Sequence, residues 1–354
     1  MESTPLPPPD RLRAQIAIFT SIRTVQNTGY RMVYPFLPVI ARGLGVELMA
    51  VTQAVSARSL LGFLAPLLGS VADVWGRRAA MLIGLGLFAA GMALIVVWPT
   101  LPALFAGLIL GAAGKGVFDP GMQAFVGDRV PYERRGTALA ITEMSWSAAF
   151  LFGVPAAGWL IARSDWRAPF PWLAALGIVA ALVIGRLIPA DAPSSCDARP
   201  SLVGSLRTVI MHPVAVGALA VALGISTANE VVNVVFGAWI EGAFRLQVAA
   251  LGAASAVIGL SELGGEGLVA ALVDRVGKRR AVAAGIALNA GACLLLPFMG
   301  FSLTGALAGL FLFYLTFEFS VVASVPLLSE LVPGARATMM AGYGAAFSLG
   351  RALG

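Results

Sequence analysis

This 354-residue sequence predicts an all-α membrane protein built as two pseudo-symmetric six-helix bundles. Three observations predict it. Hydrophobic residues make up 58% of the chain and charged residues only 12%, with a mean hydropathy of +0.87. Soluble domains carry about 25% charged residues, which excludes a water-soluble domain. Apolar stretches near the roughly 20 residues that a helix needs to cross a bilayer follow one another with short polar connections. Finally, the polar connections of the first half recur in the second.

The apolar stretches fall at about 15–41, 48–70, 79–98, 101–126, 137–162, 169–189, 213–240, 247–272, 281–300, 303–328 and 337–354. Residues 1–14 read as a cytoplasmic tail. It is proline-rich and opens with an acid, unlike the basic start of a signal peptide. Residues 15–189 hold the first bundle, 190–212 a polar cytoplasmic linker, and 213–354 the second bundle. That bundle reads as incomplete, because the chain stops within its eleventh helix and a six-plus-six arrangement needs one more.

Basic residues sort by side. Arg11, Arg13, Arg77, Arg78, Arg129, Arg134, Arg135, Arg199, Arg207, the 275–280 run and Arg336 fall in one set of loops. Arg42, Arg163, Arg167 and Arg245 fall in the other. The positive-inside rule then places the N-terminus in the cytoplasm and the protein in the cell (inner) membrane. The net charge of +6 is spent on topology and anionic lipid, so nucleic acid is not expected as a partner.

The halves align directly. Asp73 matches Asp274, Gly76 matches Gly277 and Arg77 matches Lys278 at one constant offset. Asp128-Arg-Val-Pro131 matches Glu330-Leu-Val-Pro333, and Arg135 and Thr137 match Arg336 and Thr338. A duplicated bundle is the expected cause. Gly107-x-x-x-Gly111 and Gly305-x-x-x-Gly309 occupy corresponding helices, a spacing that lets backbones approach closely in lipid.

The stretch Gly69-x-x-x-Asp73-x-x-Gly76-Arg77-Arg78 joins two apolar runs, and Asp274-x-x-Gly277-Lys278-Arg279-Arg280 echoes it. The first copy resembles the loop signature of the major facilitator superfamily of transporters, here with Val74 in place of the usual arginine and Ala270 where the second copy has its first glycine. The resemblance extends to Tyr30-Arg-Met-Val-Tyr34-Pro35 on the first helix and to Gly153-Val-Pro155-Ala-Ala-Gly158 on the fifth. It also takes in Asp128-x-x-Pro131-x-x-x-Arg135-Gly136 after the fourth. It implies the facilitator fold and a monomeric secondary transporter alternating between two bundles. The family's drug and metabolite efflux permeases suggest proton-coupled export of a small organic solute. Gly69, Asp73, Gly76, Arg77, Arg78, Asp274, Gly277, Lys278 and Arg279 would gate the cytoplasmic side, and Asp128, Pro131, Arg135 and Gly136 would latch helix ends. Uptake by a sugar or organic-acid symporter or uniporter is the alternative, followed by a channel or a non-transporting scaffold.

The spans themselves contain Arg23, Arg31, Arg58, Lys115, Asp119, Glu143, Glu230, Glu262, Glu266 and Glu318. A charged residue at a helix centre costs roughly 2.5–3.5 kcal/mol on insertion scales, so these groups must face one another or a wet cavity. Arg23, Asn27, Tyr30, Arg31 and Tyr34 share one face of the first helix, although Arg31 has the reach to snorkel outward. Lys115 and Asp119 are spaced for an ion pair, static or titrating. Glu143, beside Trp146, has Lys115 or Arg23 as partner. Glu230, Glu262 and Glu318 have few local cations, which suits proton carriage, while Asn229 and Asn233 flank Glu230 as cavity-lining residues; permanent protonation with structural hydrogen bonds is the other reading. Glu266 is the weakest carrier candidate.

No cofactor is expected beyond a proton gradient as energy source, and no enzymatic role. Gly111-Ala-Ala-Gly114-Lys115-Gly116 lacks the glycine spacing and the hydroxyl of a phosphate loop. His212 is the single histidine, and Cys196 and Cys293 do not form a ligand pattern, so neither a metal site nor a His-based triad can be assembled.

Overall fold

The computed structural model describes residues 9–130, 132–189, 207–332 and 336–354. The expected tail before Pro9, Pro131 and most of the linker lie outside the described residues, as do the side chains of Asp73, Asp274 and Arg135 and the surroundings of Gly136.

Helices fill the described chain, in the order α1 (Pro9–Arg31), α2 (Val33–Leu44), α3 (Leu48–Ser59), a 3-10 turn (Leu60–Leu64), α4 (Ala65–Trp75), α5 (Arg77–Val97) and α6 (Leu101–Arg129). Next come α7 (Tyr132–Glu143), α8 (Ser145–Ala148), a π turn (Ala149–Gly153), α9 (Val154–Arg163) and α10 (Pro169–Leu187). The second half holds α11 (Pro213–Phe244), α12 (Val248–Val276), α13 (Lys278–Leu295), α14 (Leu303–Leu331) and α15 (Arg336–Leu353). Among the described residues eight helices are long and apolar enough to cross a membrane, and Val33–Leu44 and Leu48–Leu64 are shorter apolar pieces. The protein is an integral, multi-pass membrane protein.

Several expected spans are interrupted, and proline explains two of the breaks. Pro35 and Pro38 lack the N–H groups that would bond the carbonyls of Arg31 and Tyr34, so the first span pauses at Met32 between α1 and α2. Pro155 likewise leaves Leu151 without its usual donor, and the backbone widens into the Ala149–Gly153 π turn just before it. The stretch expected as one helix over 48–70 is kinked by the 3-10 turn at Leu60–Leu64 and runs on to Trp75.

The repeat is visible in the backbone. Gly76 and Gly277 end α4 and α12 with φ of 91° and 90°, a region open to glycine and strained for other residues. Each releases the chain into a helix that begins with a cation. Arg77 Nε donates to Asp128 Oδ2 at 3.3 Å, and Lys278 Nζ donates to Glu330 Oε1 at 2.6 Å. The aligned residues of the two halves thus make the same ion pair at the same place. We call this end the motif face and the end bearing Gly45 and Arg245 the opposite face.

Within each half, small residues set the close pairs. A Cβ on Gly91 would sit 2.5 Å from the Gly107 carbonyl oxygen, so α5 and α6 meet backbone to backbone there. In the second half Gly305 and Gly309 abut Met299, and Gly285 abuts Ser320. Both small-residue pairs therefore serve helix packing. Trp98, Trp159 and Trp172 are exposed toward the opposite face, where amphipathic rings suit the lipid–water boundary. In the turn between α9 and α10, hydrogen bonds from the Arg167 side chain hold the Asp165 carboxyl below its ordinary pKa.

The halves meet chiefly at mid-depth and toward the opposite face. Gly237 of α11 lies against Pro35 and the Tyr34 carbonyl that Pro38 leaves free; an added Cβ would be 2.6 Å from Pro35 O. Gly252 of α12 meets Gly158 of α9, and Gly259 meets the Ser147 backbone. Arg42 pairs with Glu241 at the rim. Toward the motif face the joint thins to α15 against the second span, where Gly62 touches Ser348.

Candidate functional site

The site is built along one face of α1 and α2, whose polar residues recur at helical spacing and meet a different helix at each step. Arg23 is 2% exposed and holds two carboxylates. Its Nε donates to Asp119 Oδ1 at 3.1 Å and its Nη1 to Glu143 Oε1 at 2.8 Å. Lys115 Nζ donates to the other oxygen of Asp119 at 2.6 Å, one turn back on α6. Two cations and two carboxylates from three helices therefore balance within the first half. The Glu143 side chain is 43% exposed while bonded to a buried arginine.

One turn up α1, Asn27 Nδ2 donates to Ser145 Oγ at 2.9 Å. The next turn carries Arg31, which crosses to the second half. Its guanidinium makes a two-pronged pair with Glu262 of α12, Nη1 donating to Oε2 at 2.8 Å and Nη2 to Oε1. Nη1 also donates to the Trp146 carbonyl at 3.1 Å, and the group lies 3.9 Å from the centre of the Phe150 ring. Arg31 is buried and does not snorkel outward. The expectation that Glu262 lacks a cation is corrected here. Its partner sits on the other half of the chain, a distance in sequence that no local spacing rule reaches.

Beyond it, Tyr34 Oη donates to Glu230 Oε1 at 2.7 Å, Asn233 Nδ2 donates to Glu230 Oε2 at 3.3 Å, and Tyr314 Oη donates to Asn233 Oδ1 at 2.6 Å. Glu230 is fully buried and Asn229 is buried beside it, with its Oδ1 unpartnered. Burying a carboxylate is tolerable only when its lone pairs are occupied, and a tyrosine and an amide occupy these. Glu318 of α14 packs its Cβ against Gly265, beside Glu266. Neither carboxylate has an ion-pair partner among the described residues. Glu266 therefore belongs with Glu318 as an acidic pair lining the second half, a stronger placement than its sequence position suggested.

Four members went unassigned in the sequence. Arg58 stands out there as a charge in an apolar run without a role; its guanidinium lies 3.7 Å from the centre of the Tyr30 ring, 2% exposed. Arg351, near the end of α15, lies 5.8 Å from the Trp146 ring centre. Its signal was a lone cation on the α15 face that carries Tyr343 and Phe347 at four-residue intervals. Gln26 and Tyr314 gave none, being one amide and one phenol among many. Trp146 gathers Lys115 at 4.9 Å and Arg31 at 5.0 Å as well.

The gating residues lie apart from this centre. Arg77 Nη1 donates to the Ala72 carbonyl at 3.0 Å, closing the end of α4, and Arg78 Nη2 donates to the Gly185 carbonyl. Gly69 rests on Pro120. Lys278, Arg279 and Arg280 border an open cavity of about 600 Å³ on the motif face. Asp128 pairs with Arg77.

Fold and site together define a multi-pass helical membrane protein whose matching halves enclose a charged seam. The chain matches the family model of the Major Facilitator Superfamily over residues 20–354, and it belongs to that family of transporters. It is 25% identical to the "Uncharacterized MFS-type transporter YceJ" of Bacillus subtilis (strain 168), over 96% of this chain and 87% of that protein. It is 26% identical to the "Quinolone resistance protein NorA" of Staphylococcus aureus (strain MRSA252), over 56% of this chain and 52% of NorA, about half that protein's length. Among solved structures, a peptide transporter POT in complex with sulfate superposes with a TM-score of 0.80 at 15% identity. It covers 99% of this chain and 89% of that one, a likeness of fold.

Proposed function

We propose that the protein is a proton-coupled exporter of a small organic solute, working by alternating access between its two bundles. The observation that carries this reading is the Arg31–Glu262 pair, a buried, two-pronged bond between the halves at mid-depth. It sits where the joint is tight on the opposite face and thin on the motif face. A bond of this kind can hold one arrangement and must be given up in the other. The basic loops support a cytoplasmic motif face in the inner membrane, which makes the present arrangement inward-open. Drug-resistance relatives such as NorA support export.

Proton coupling is assigned to Glu143, Glu230 and the Glu266–Glu318 pair. The first borders water, and the others sit where no cation bonds them. The test is flux in proteoliposomes of the full chain against an imposed pH gradient. Glu230→Gln or Glu143→Gln is expected to abolish gradient-driven movement while sparing solute exchange. Unchanged pH dependence in both variants, and in Glu318→Gln, refutes the coupling. Accumulation along an inward gradient of solute and protons together would reverse the direction.

A further inference from the structure

Resting on the transport reading, we infer that the transported solute is an organic anion with an apolar, aromatic body, its acidic group received by Arg351 beside Trp146 in the seam between the halves.

Most of the buried cations are already paired. Arg23 and Lys115 are balanced by Asp119 and Glu143, and Arg31 by Glu262. Arg58 and Arg351 remain. Neither has a carboxylate within ion-pair distance among the described residues, and the carboxylate whose field both feel is Glu230. That carboxylate is already occupied by Tyr34 and Asn233. Arg351 also lies in the field of Glu318, so what the Tyr30–Trp146 end of the seam lacks is acceptors for its guanidinium groups. Arg58 shows the deficit directly, for it is 2% exposed and its Nε and Nη2 atoms have no acceptor. An uncompensated buried cation is costly, and an anion within reach relieves it.

Geometry places the acceptor. Trp146 is half-buried and has three cations within 6 Å of its ring, Lys115 and Arg31 from the first half and Arg351 from the second. Of these only Arg351 has no ion-pair carboxylate among the described residues; it is part-exposed, and its hydrogen bond to the Tyr30 side chain leaves other donors of its guanidinium for a ligand. The α15 face leading to it presents Phe347 and Tyr343, their ring centres 4.9 Å apart, with Phe317 stepping in from α14 at 6.5 Å from Phe347. An aromatic ladder ending in a guanidinium with no ion-pair carboxylate fits a flat apolar body with an acid at one end. Arg58 lies behind Tyr30 and adds its field without touching the solute. Because Arg351 belongs to one half and Trp146 with Lys115 to the other, an anion between them replaces repulsion across the seam with attraction. Occupancy would then draw the open end shut.

The test uses the purified full chain and two matched series: benzoate, benzamide and benzylamine, and 2-naphthoate with its amide and its methylamine. Saturable thermal stabilisation by a carboxylate, with the amide and the amine at least about tenfold weaker, is the expected result. Arg351→Gln is expected to weaken carboxylate binding about 10- to 100-fold, and Arg351→Lys to recover part of it, with unliganded melting temperatures showing that both variants fold. Amines binding as well as acids, neither carboxylate binding, or Arg351→Gln leaving the acids untouched would each overturn the inference. Flux in liposomes is read separately. Carboxylate binding without flux counts against transport alone, whereas flux of amines without carboxylate binding counts against the anion alone.

Discussion

Removing one partner of the Arg31–Glu262 pair gives the sharpest test of how the halves are held. Both side chains are under 10% exposed, so Glu262→Met strands a guanidinium that keeps its bond to the Trp146 carbonyl. Breaking a buried pair by deleting one member costs about 3–5 kcal/mol. The bond joins the halves, so that cost falls on the present arrangement and is relieved wherever the seam opens to water. A bias of about 3 kcal/mol shifts a two-state balance by more than about a hundredfold. Cysteines replacing Arg42 and Glu241, whose side chains meet at the rim of the tight face, report that balance through the rate of bridging by a short bis-maleimide. The native cysteines are replaced by serine. Glu262→Met should slow bridging at least about tenfold, and adding Arg31→Met should restore most of it, because the stranded charge is then gone. Unchanged bridging in the single variant, or a double variant as slow as the single, would refute the reasoning.

Other expectations follow from the same coordinates. Gly237→Ala puts a Cβ within 2.8 Å of three backbone atoms of Tyr34 and Pro35, an overpacking worth about 1–3 kcal/mol. It should slow the same bridging, whereas Gly242→Ala, with nothing within 4 Å, should not. The pair Lys278–Glu330 is 38% and 55% exposed, so Lys278→Gln should change thermal stability by less than about 1 kcal/mol, read from melting curves. In the α9–α10 turn the folded Asp165 carboxyl titrates below its unfolded value. Its contribution is present above the ordinary carboxylate range and lost as pH falls through the folded value. The melting temperatures of Asp165→Asn and the unaltered chain should therefore converge on acidification.

The class of fold was legible because composition and run length carry it, and the duplication because both copies of the loop keep a glycine followed by a cation. Helix breaks were less legible. Pro35, Pro38 and Pro155 were in view, but whether a proline ends a membrane helix or only loosens it depends on what satisfies the freed carbonyl, and that neighbour comes from elsewhere in the chain. For the site, Arg23, Asn27, Arg31 and Tyr34 lie along one strip, as their helical spacing implies. Their partners could not be read, since Asp119, Glu143, Glu262 and Glu230 lie 96 to 231 positions away. Local spacing found Lys115–Asp119 for the opposite reason, as both stand on one helix face. Arg351 escaped because a single arginine near the end of an apolar run looks the same whether it meets lipid headgroups or a tryptophan of the other half.

The halves share a backbone repeat but divide the chemistry unequally. Duplication preserved the ion pair under each motif glycine, Arg77–Asp128 and Lys278–Glu330, at the surface where it can steady helix ends in either arrangement. At mid-depth nothing is duplicated. The first half closes its charges internally around Arg23, and the second contributes acids without cations at Glu266 and Glu318. The Arg31–Glu262 and Tyr34–Glu230 bonds, which cross at mid-depth, both run from a donor on the first span to a carboxylate on the second half. Loss of either carboxylate therefore weakens the joint from the same side, and we propose that this asymmetric centre within a symmetric scaffold lets a single event at the joint move two otherwise equivalent bundles.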